Sequence, residues 1–484
     1  MGWSTDVTVG PADTSDTVRR AFRSARAAQQ DWADIAPADR ARRVAAVPDL
    51  LTSRRDAVLD LIQTESGKTR MNALEELLDA AISVRFYARN AATLLRPRTR
   101  PGALPLLTRT REFARPRGVV AVITPWNYPL SLTADVFPAL LAGNAVVHKP
   151  DRRTVDSSLV LRELAIESGL DPQLWQVVVG EPSEIGDALI DGADYVSFTG
   201  STEAGRAIAR RCADRLIGYN LELAGKNPMI VLEDADLDHT VTAALRACFG
   251  NAGQLCVGIE RIYVDRAVLP EFLHRFVRAT RALRLGNGLD FRSDVGSLID
   301  SGRLERVDAL VRRAVRDGAR IEVGGVPRPD VGPCFYQPTI LTGAEEDSEI
   351  NTTEVFGPVV TVTGFSDPEQ AVRLANAGPY GMNAAVFGQD ARRARSIADQ
   401  LTVGMVNINE GYASGYGSAA ALGGRKQSGT GRRHGAQGLL QYTESQIVAS
   451  QHLLGFDPPA GWDQEQYGRL LAEGLQLLRR LRLR

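Results

Sequence analysis

From residue 118 onward, short β-branched runs alternate with helix-forming stretches, and few architectures accommodate that pattern. Val119-Val120-Ala121-Val122-Ile123 ends at Pro125, with a helix expected from near Ser131. Ala145-Val146-Val147 leads into His148-Lys149-Pro150 and a helix through Leu159–Ser168. Val177-Val178-Val179 ends in Gly180, before a helix over Ile185–Ile190. Tyr195-Val196-Ser197-Phe198 ends in Thr199-Gly200-Ser201, with a helix from Glu203. Strands that alternate with helices assemble into a parallel sheet through right-handed crossovers. Ligands of such sheets collect beyond the carboxyl ends of the strands. A second alternating region follows. Ile262-Tyr263-Val264, Ile321-Glu322-Val323, Val359–Val362 and Ala384–Phe387 are expected strands, with helices at Pro270–Arg284 and Leu304–Asp317.

Residues 12–95 read as helices rich in Ala, Arg and Leu, with Gly67 as a stop. Pro97, Pro101, Gly102 and Pro105 break that pattern, and Leu106–Arg115 reads as an exposed strand-like arm. An exposed strand needs a partner, so a second subunit is expected there. At 484 residues the length suits roughly three domains of ~150 residues. A net charge of −1 argues against a nucleic acid or other polyanion as partner. Four cysteines make no disulfide scaffold, and the five scattered histidines give no metal-ligand spacing. The polar N-terminus is unlike a signal peptide, and no run of 18 apolar residues exists to span a membrane. A soluble cytoplasmic protein is therefore expected.

Of 57 basic residues only Lys68, Lys149, Lys226 and Lys426 are lysine. In so arginine-rich a chain, lysines survive where a compact ammonium is needed. The chemistry centres on Cys256, in Asn251-Ala252-Gly253-Gln254-Leu255-Cys256, and Glu222, in Leu221-Glu222-Leu223-Ala224-Gly225-Lys226. A thiolate attacks carbonyl carbon, and a carboxylate takes a proton from water. Alone, an unpaired cysteine is more often a packing residue.

The ordered set of motifs reverses those odds. Pro125-Trp126-Asn127-Tyr128-Pro129, His148-Lys149-Pro150, Phe198-Thr199-Gly200-Ser201, Glu222–Lys226, Asn251–Cys256, Glu354-Val355-Phe356-Gly357-Pro358 and Gly423–Gly429 resemble the aldehyde dehydrogenase superfamily over about residues 5–450. Within it, Arg432-Arg433-His434-Gly435 and Tyr442–Gln446 are similar to the succinate-semialdehyde dehydrogenases of actinobacteria. The resemblance implies an α/β fold with a Rossmann-type cofactor domain (residues 1–100 and 117–224) and a catalytic α/β domain (225–426). A small β oligomerisation arm (101–116 and 439–450) and a tail (451–484) complete it, in a homodimer or homotetramer.

The resemblance also implies roles. Cys256 is the nucleophile, Asn127 and the Cys256 N–H hold the oxyanion, and Glu222 activates water to release the acid from a thioester. Lys149 holds the adenine ribose, Gly200 and Ser201 the pyrophosphate, and Glu354 the nicotinamide ribose, with Trp126 and Phe356 beside the cofactor. Arg152 stands where NAD-preferring relatives often carry glutamate, so NADP is expected ahead of NAD. No metal is implied.

Two further departures bear on the reading. Ala224 replaces a frequent glycine, which matters only at positive φ. The two arginines that bind the substrate carboxylate in many succinate-semialdehyde dehydrogenases are replaced here by Asp135 and Gly250. An acid substrate then needs another cation. Leu255, Val257, Tyr412 and Tyr416 are expected pocket walls, which also suit an uncharged aliphatic or aromatic aldehyde. A CoA-acylating enzyme and a non-catalytic protein of the same fold are the other readings. In the tail, Leu470, Leu471, Leu475 and Leu478 share a helical face near Arg479, Arg480, Arg482 and Arg484. Docking on the protein's own surface or on a neighbouring subunit is expected, with weak membrane-surface binding as an alternative.

Overall fold

The computed structural model describes residues 12–102, 108–416, 419–452 and 455–480. Three sheets organise it. The first runs, from edge to edge, Gly429–Thr430, Gly218–Glu222, Tyr195–Thr199, Val119–Ile123, Ala145–Lys149 and Trp175–Val177. All neighbours are parallel except the outermost pair, where Gly429 lies antiparallel to Glu222. Ala145–Lys149 is buried along its whole length and Val119–Ile123 at all but its last residue. Helices on both faces of a parallel sheet require such unbroken apolar runs. From Val119–Ile123 the chain steps one way to Ala145–Lys149 and Trp175–Val177, then returns to the other side for Tyr195–Thr199. That reversal opens a crevice between the carboxyl ends of Val119–Ile123 and Tyr195–Thr199, where doubly wound sheets bind ligands.

The second sheet runs Arg320–Val323, Thr339–Thr342, Val359–Phe365, Ile259–Asp265, Asn227–Val231, Asn383–Phe387 and Met405–Ile408. It too is parallel apart from its first pair. Its core includes Phe249, Phe272 and Phe276, whose rings stack 5.5–6.0 Å apart. The third sheet is the arm: Arg98–Pro101, Thr108–Pro116 and Thr443–Gln451, all antiparallel. Thr443–Gln451 pairs on one side only and exposes Ile447 and Val448, an open edge of the kind that recruits another strand. Leu106, which the sequence reading assigned to this arm, lies outside the described residues.

Several expectations need correction. The strand expected at Val177–Val179 lies at Trp175–Val177, because Val179 donates its N–H to the Asp13 side chain and leaves the ladder. The helix expected from Leu159 starts at Val155, just after a tight turn, Arg152–Thr154, capped by Asp151. The helix expected near Ser131 begins at Pro129, where proline suits a first turn. Gly67 does end its helix, at φ 69°. The tail forms a helix, Gln464–Arg480, and of its expected leucine face Leu471 and Leu478 are half-buried while Leu470 and Leu475 are exposed. Leu470, Leu475 and Leu477 are exposed, and Tyr467 is its one buried residue, donating to the Gly455 carbonyl. Arg482 and Arg484 lie outside the described residues.

Candidate active site

Cys256 lies on the loop between the helix Leu237–Phe249 and the strand Ile259–Asp265. Asn251, Ala252 and Gly253 adopt consecutive left-handed conformations, with φ of 51°, 53° and 71°. Two non-glycine residues in that region are costly and persist only where packing dictates them. A Cβ on Gly253 would overlap the Gly357 carbonyl, so the cysteine loop sits directly on the Glu354–Pro358 segment. A Cβ on Gly225 would overlap the Cys256 carbonyl oxygen. That oxygen accepts from Asn227 Nδ2 at 2.8 Å, which ties the cysteine loop to the start of the strand Asn227–Val231 in the second sheet.

Glu222 is the last residue of the strand Gly218–Glu222, at the carboxyl edge. Leu223 N–H donates to the Ser428 carbonyl, so the Gly423–Gly429 motif forms its wall. Glu222 is 4% exposed, and its Oε1 has no hydrogen-bond partner. Burial pushes its carboxyl up to about 8, against a partial counter-effect from Arg433. Cys256 keeps a partly accessible surface, yet desolvation pushes its thiol up to about 12, with Glu354 and Glu222 adding to the shift. Both carboxyls lie close enough to raise the thiol through their charge, and the cysteine loop touches Gly225, three residues after Glu222.

Asn127 completes the constellation. Its side-chain Nδ2 donates to the Gln254 carbonyl at 3.1 Å, leaving the second N–H of the amide beside the cysteine loop. Its backbone carbonyl accepts from Lys68 Nζ at 2.8 Å and from Asn251 Nδ2 at 3.1 Å. Lys68 is wholly buried and paired with Glu76 at 2.5 Å, and Glu76 in turn accepts from the N–H groups of Leu130 and Ser131. This buried pair pins the whole Trp126–Ser131 turn. Spacing alone gave Lys68 no role, although its survival in an arginine-rich chain marked it.

On the cofactor side, Lys149 ends its strand, 8% exposed, its ammonium destabilised by burial. Ser201 caps the helix Thr202–Asp214, accepting from Ala204 N–H, and presents that helix N-terminus to the crevice. Gly200 lies at the same turn, and its N–H donates to the Glu222 carbonyl at 3.0 Å. Arg152 is half-exposed and paired with Glu181 at 2.6 Å. Glu354 accepts from Gly225 N–H at 2.7 Å and is held at about 8 by burial and by Glu260. Phe356 takes φ 52° and meets Trp126 edge-on at 5.6 Å. Ala224 is not at positive φ, so replacing glycine there introduces no strain.

Two arginines escaped the sequence reading. Arg303 stacks on Trp126 and Phe356, at 5.8 and 5.4 Å, and its guanidinium has no hydrogen bond or ion pair among the described residues. Arg153 lies 5.1 Å from the Trp126 ring and joins Asp300 at 2.6 Å, crossing from the first sheet's region to the second's. Nothing in their spacing marked them. A sheet switch point, a helix N-terminus, Lys149 and the half-buried Arg303 guanidinium together fit a dinucleotide diphosphate.

Residues 4–448 match the model of the aldehyde dehydrogenase family. The chain belongs to the aldehyde dehydrogenase family. A Mycolicibacterium smegmatis protein with the provisional name succinate-semialdehyde dehydrogenase [NADP(+)] is 47% identical over 94% of this chain and 89% of its own length. Among solved structures, the betaine aldehyde dehydrogenase of Staphylococcus aureus in complex with NAD+ matches with a TM-score of 0.88 at 32% identity, over 93% of this chain and 90% of that one. An NADP-dependent enzyme of E. coli matches with a TM-score of 0.88 at 33% identity, covering 91% of each chain. In this aldehyde dehydrogenase, Gly253→Ala combines a positive φ with an overlap on Gly357, a strain expected to cost about 1–3 kcal/mol or more. Denaturant unfolding should show the loss, together with a fall in activity larger than the lost folded fraction explains. Unchanged stability and turnover would contradict it.

Proposed function

We propose that the chain oxidises an aldehyde to its carboxylic acid through Cys256, Asn127 and Glu222, with NADP preferred to NAD. The observation that carries this reading is the closeness of Glu222 to the Cys256 thiol. The bound dinucleotide supplies a hydride acceptor. Cys256 sulfur adds to the carbonyl carbon to give a thiohemiacetal, and the Asn127 amide with the Cys256 N–H receives the developing oxyanion. Removing one such donor costs about 2.7–4 kcal/mol. Loss of hydride leaves a thioester on Cys256. Glu222, dry and without a partner on Oε1, takes a proton from water that attacks this thioester and frees the acid. Lys149, Ser201, Arg303 and Glu354 would hold the dinucleotide.

We assign succinate semialdehyde as the substrate, on the strength of the mycobacterial relative's name and the similarity to it over nearly the whole chain. A second reading, an uncharged aldehyde, draws on one observation: Asp135 is buried and already engages Arg433 in two bonds of 2.6 and 3.0 Å. For the cofactor, Arg152 with Lys149 close by supports NADP, while Glu181 competes for the Arg152 guanidinium.

With Glu222 at about 8, its base form vanishes as pH falls below that value. Thioester hydrolysis should therefore rise tenfold per pH unit up to about 8 and then level, as measured by single-turnover acid release. Glu222→Gln should lose roughly 10²–10⁴-fold in turnover, along with that limb. A pH-independent wild type, or release only as a CoA thioester, would contradict the reading. Arg152→Glu should raise the dissociation constant for NADPH by about tenfold or more and leave that for NADH within about twofold, by fluorescence titration. Equal changes for both would assign Arg152 to the surface.

A further inference from the structure

Three phenol hydroxyls beside the cysteine loop, those of Tyr128, Tyr412 and Tyr416, are buried without a well-formed hydrogen bond: Tyr416 reaches only weakly towards Tyr128, and Tyr412 only weakly towards Arg246. Tyr128 adjoins Asn127 in the chain, and the rings of Tyr412 and Tyr416 lie 5.8 Å apart. Tyr416 packs on the same core as Val257 and Leu255, the residues flanking Cys256. Each hydroxyl is close enough to another to feel its charge. Buried hydroxyls so poorly satisfied are rare, and three of them close together leave donors for a ligand.

Behind them stands Arg246, its guanidinium 4.7 Å from the Tyr412 ring centre. Nε donates to Glu75 at 3.1 Å, Nη1 reaches Glu410 only at 3.4–3.5 Å, and Nη2 donates to nothing among the described residues. Gly250 is the C-cap of the helix that carries Arg246, one turn further along the same face. The Cβ that Gly250 lacks would stand 3.1 Å from the Tyr412 hydroxyl. The Tyr412 ring thus bridges the turn between an open position and a guanidinium.

We propose that Tyr128, Tyr412 and Tyr416, with Arg246 behind them, recognise the carboxylate at the far end of a short semialdehyde. This rests on the substrate reading above and supplies the cation that Asp135 and Gly250 do not. A carboxylate offers about four acceptor sites and no donor, which suits three phenolic O–H groups. Hydroxyl-to-carboxylate bonds are short and strong where water is excluded. Glu75 and Glu410 offset part of the Arg246 charge, so the hydroxyls carry the geometry and the guanidinium the field.

The test compares succinate semialdehyde with butanal, which has a methyl group in place of the carboxylate. Steady-state kinetics would be run on the wild type and on Arg246→Gln, Tyr412→Phe, Tyr416→Phe and Glu410→Gln. The phenylalanine variants keep the rings and hence the packing. The wild type should prefer the semialdehyde. Arg246→Gln should cut the ratio of kcat/KM values (semialdehyde over butanal) by roughly 10- to 100-fold, and each Tyr→Phe by roughly 3- to 10-fold. Glu410→Gln, which releases Arg246, should lower KM for the semialdehyde. A wild-type preference that none of these variants alters overturns the assignment of these residues. A wild type that oxidises butanal at least as well overturns the substrate reading, a separate result.

Discussion

Desolvation is the constraint on which the site depends. Burial raises the carboxyls of Glu222 and Glu354 and the thiol of Cys256 together, and the charge of each carboxylate adds to the shift of the thiol. Three acids so placed cannot all be ionised, because each charge raises the cost of the next. The consequence is functional. Burial pushes the Glu222 carboxyl up to about 8 and the thiol to about 12, so the carboxylate form is available at a pH where the thiol still keeps its proton. The thiol is quiet until a cation or a base draws its proton away.

Placing these groups takes a scaffold of polar contacts between motifs far apart in sequence. The Lys68–Glu76 pair holds the turn that bears Asn127, and the Lys226–Glu260 pair, at 2.6 Å, does the same for Val355 and Phe356. Such pairs add little net stability, since desolvation offsets their attraction, but losing one partner leaves a buried charge and is strongly destabilising. Their value here is positional. Gly253 against Gly357 and Gly225 against Cys256 remove side chains where two backbones must touch. The motifs recur as a set because each is part of another's contact surface.

Much of this was legible in the chain itself. The alternation after residue 118 located the inner strands of the first sheet, where burial on both faces demands continuous apolar runs. Gly218–Glu222 and Asn227–Val231 were not read as strands, although they carry Glu222 and Asn227. Gly218, Asn220, Glu222 and Pro228 break the β pattern of these two strands. Cys256, Glu222 and Asn127 were found through motif order, and the fold brings them together. That the Gly200 N–H is taken up by the Glu222 carbonyl leaves no mark in sequence. Arg303 and Arg153 were invisible for a related reason, since their meaning lies in contacts across the two sheets. The tail's apolar stripe was legible, but the surface it faces was not.

The central claim is that Cys256 and Glu222 share one dry compartment. The most direct test is the pH dependence of Cys256 alkylation by iodoacetamide in the cofactor-free enzyme, with the modified peptide identified by mass spectrometry. The thiol should titrate well above the ~8.5 of a free cysteine, and Glu222→Gln should lower its apparent pKa by removing a facing carboxylate. A thiol that titrates near 8.5 and does not respond to Glu222→Gln would contradict the account.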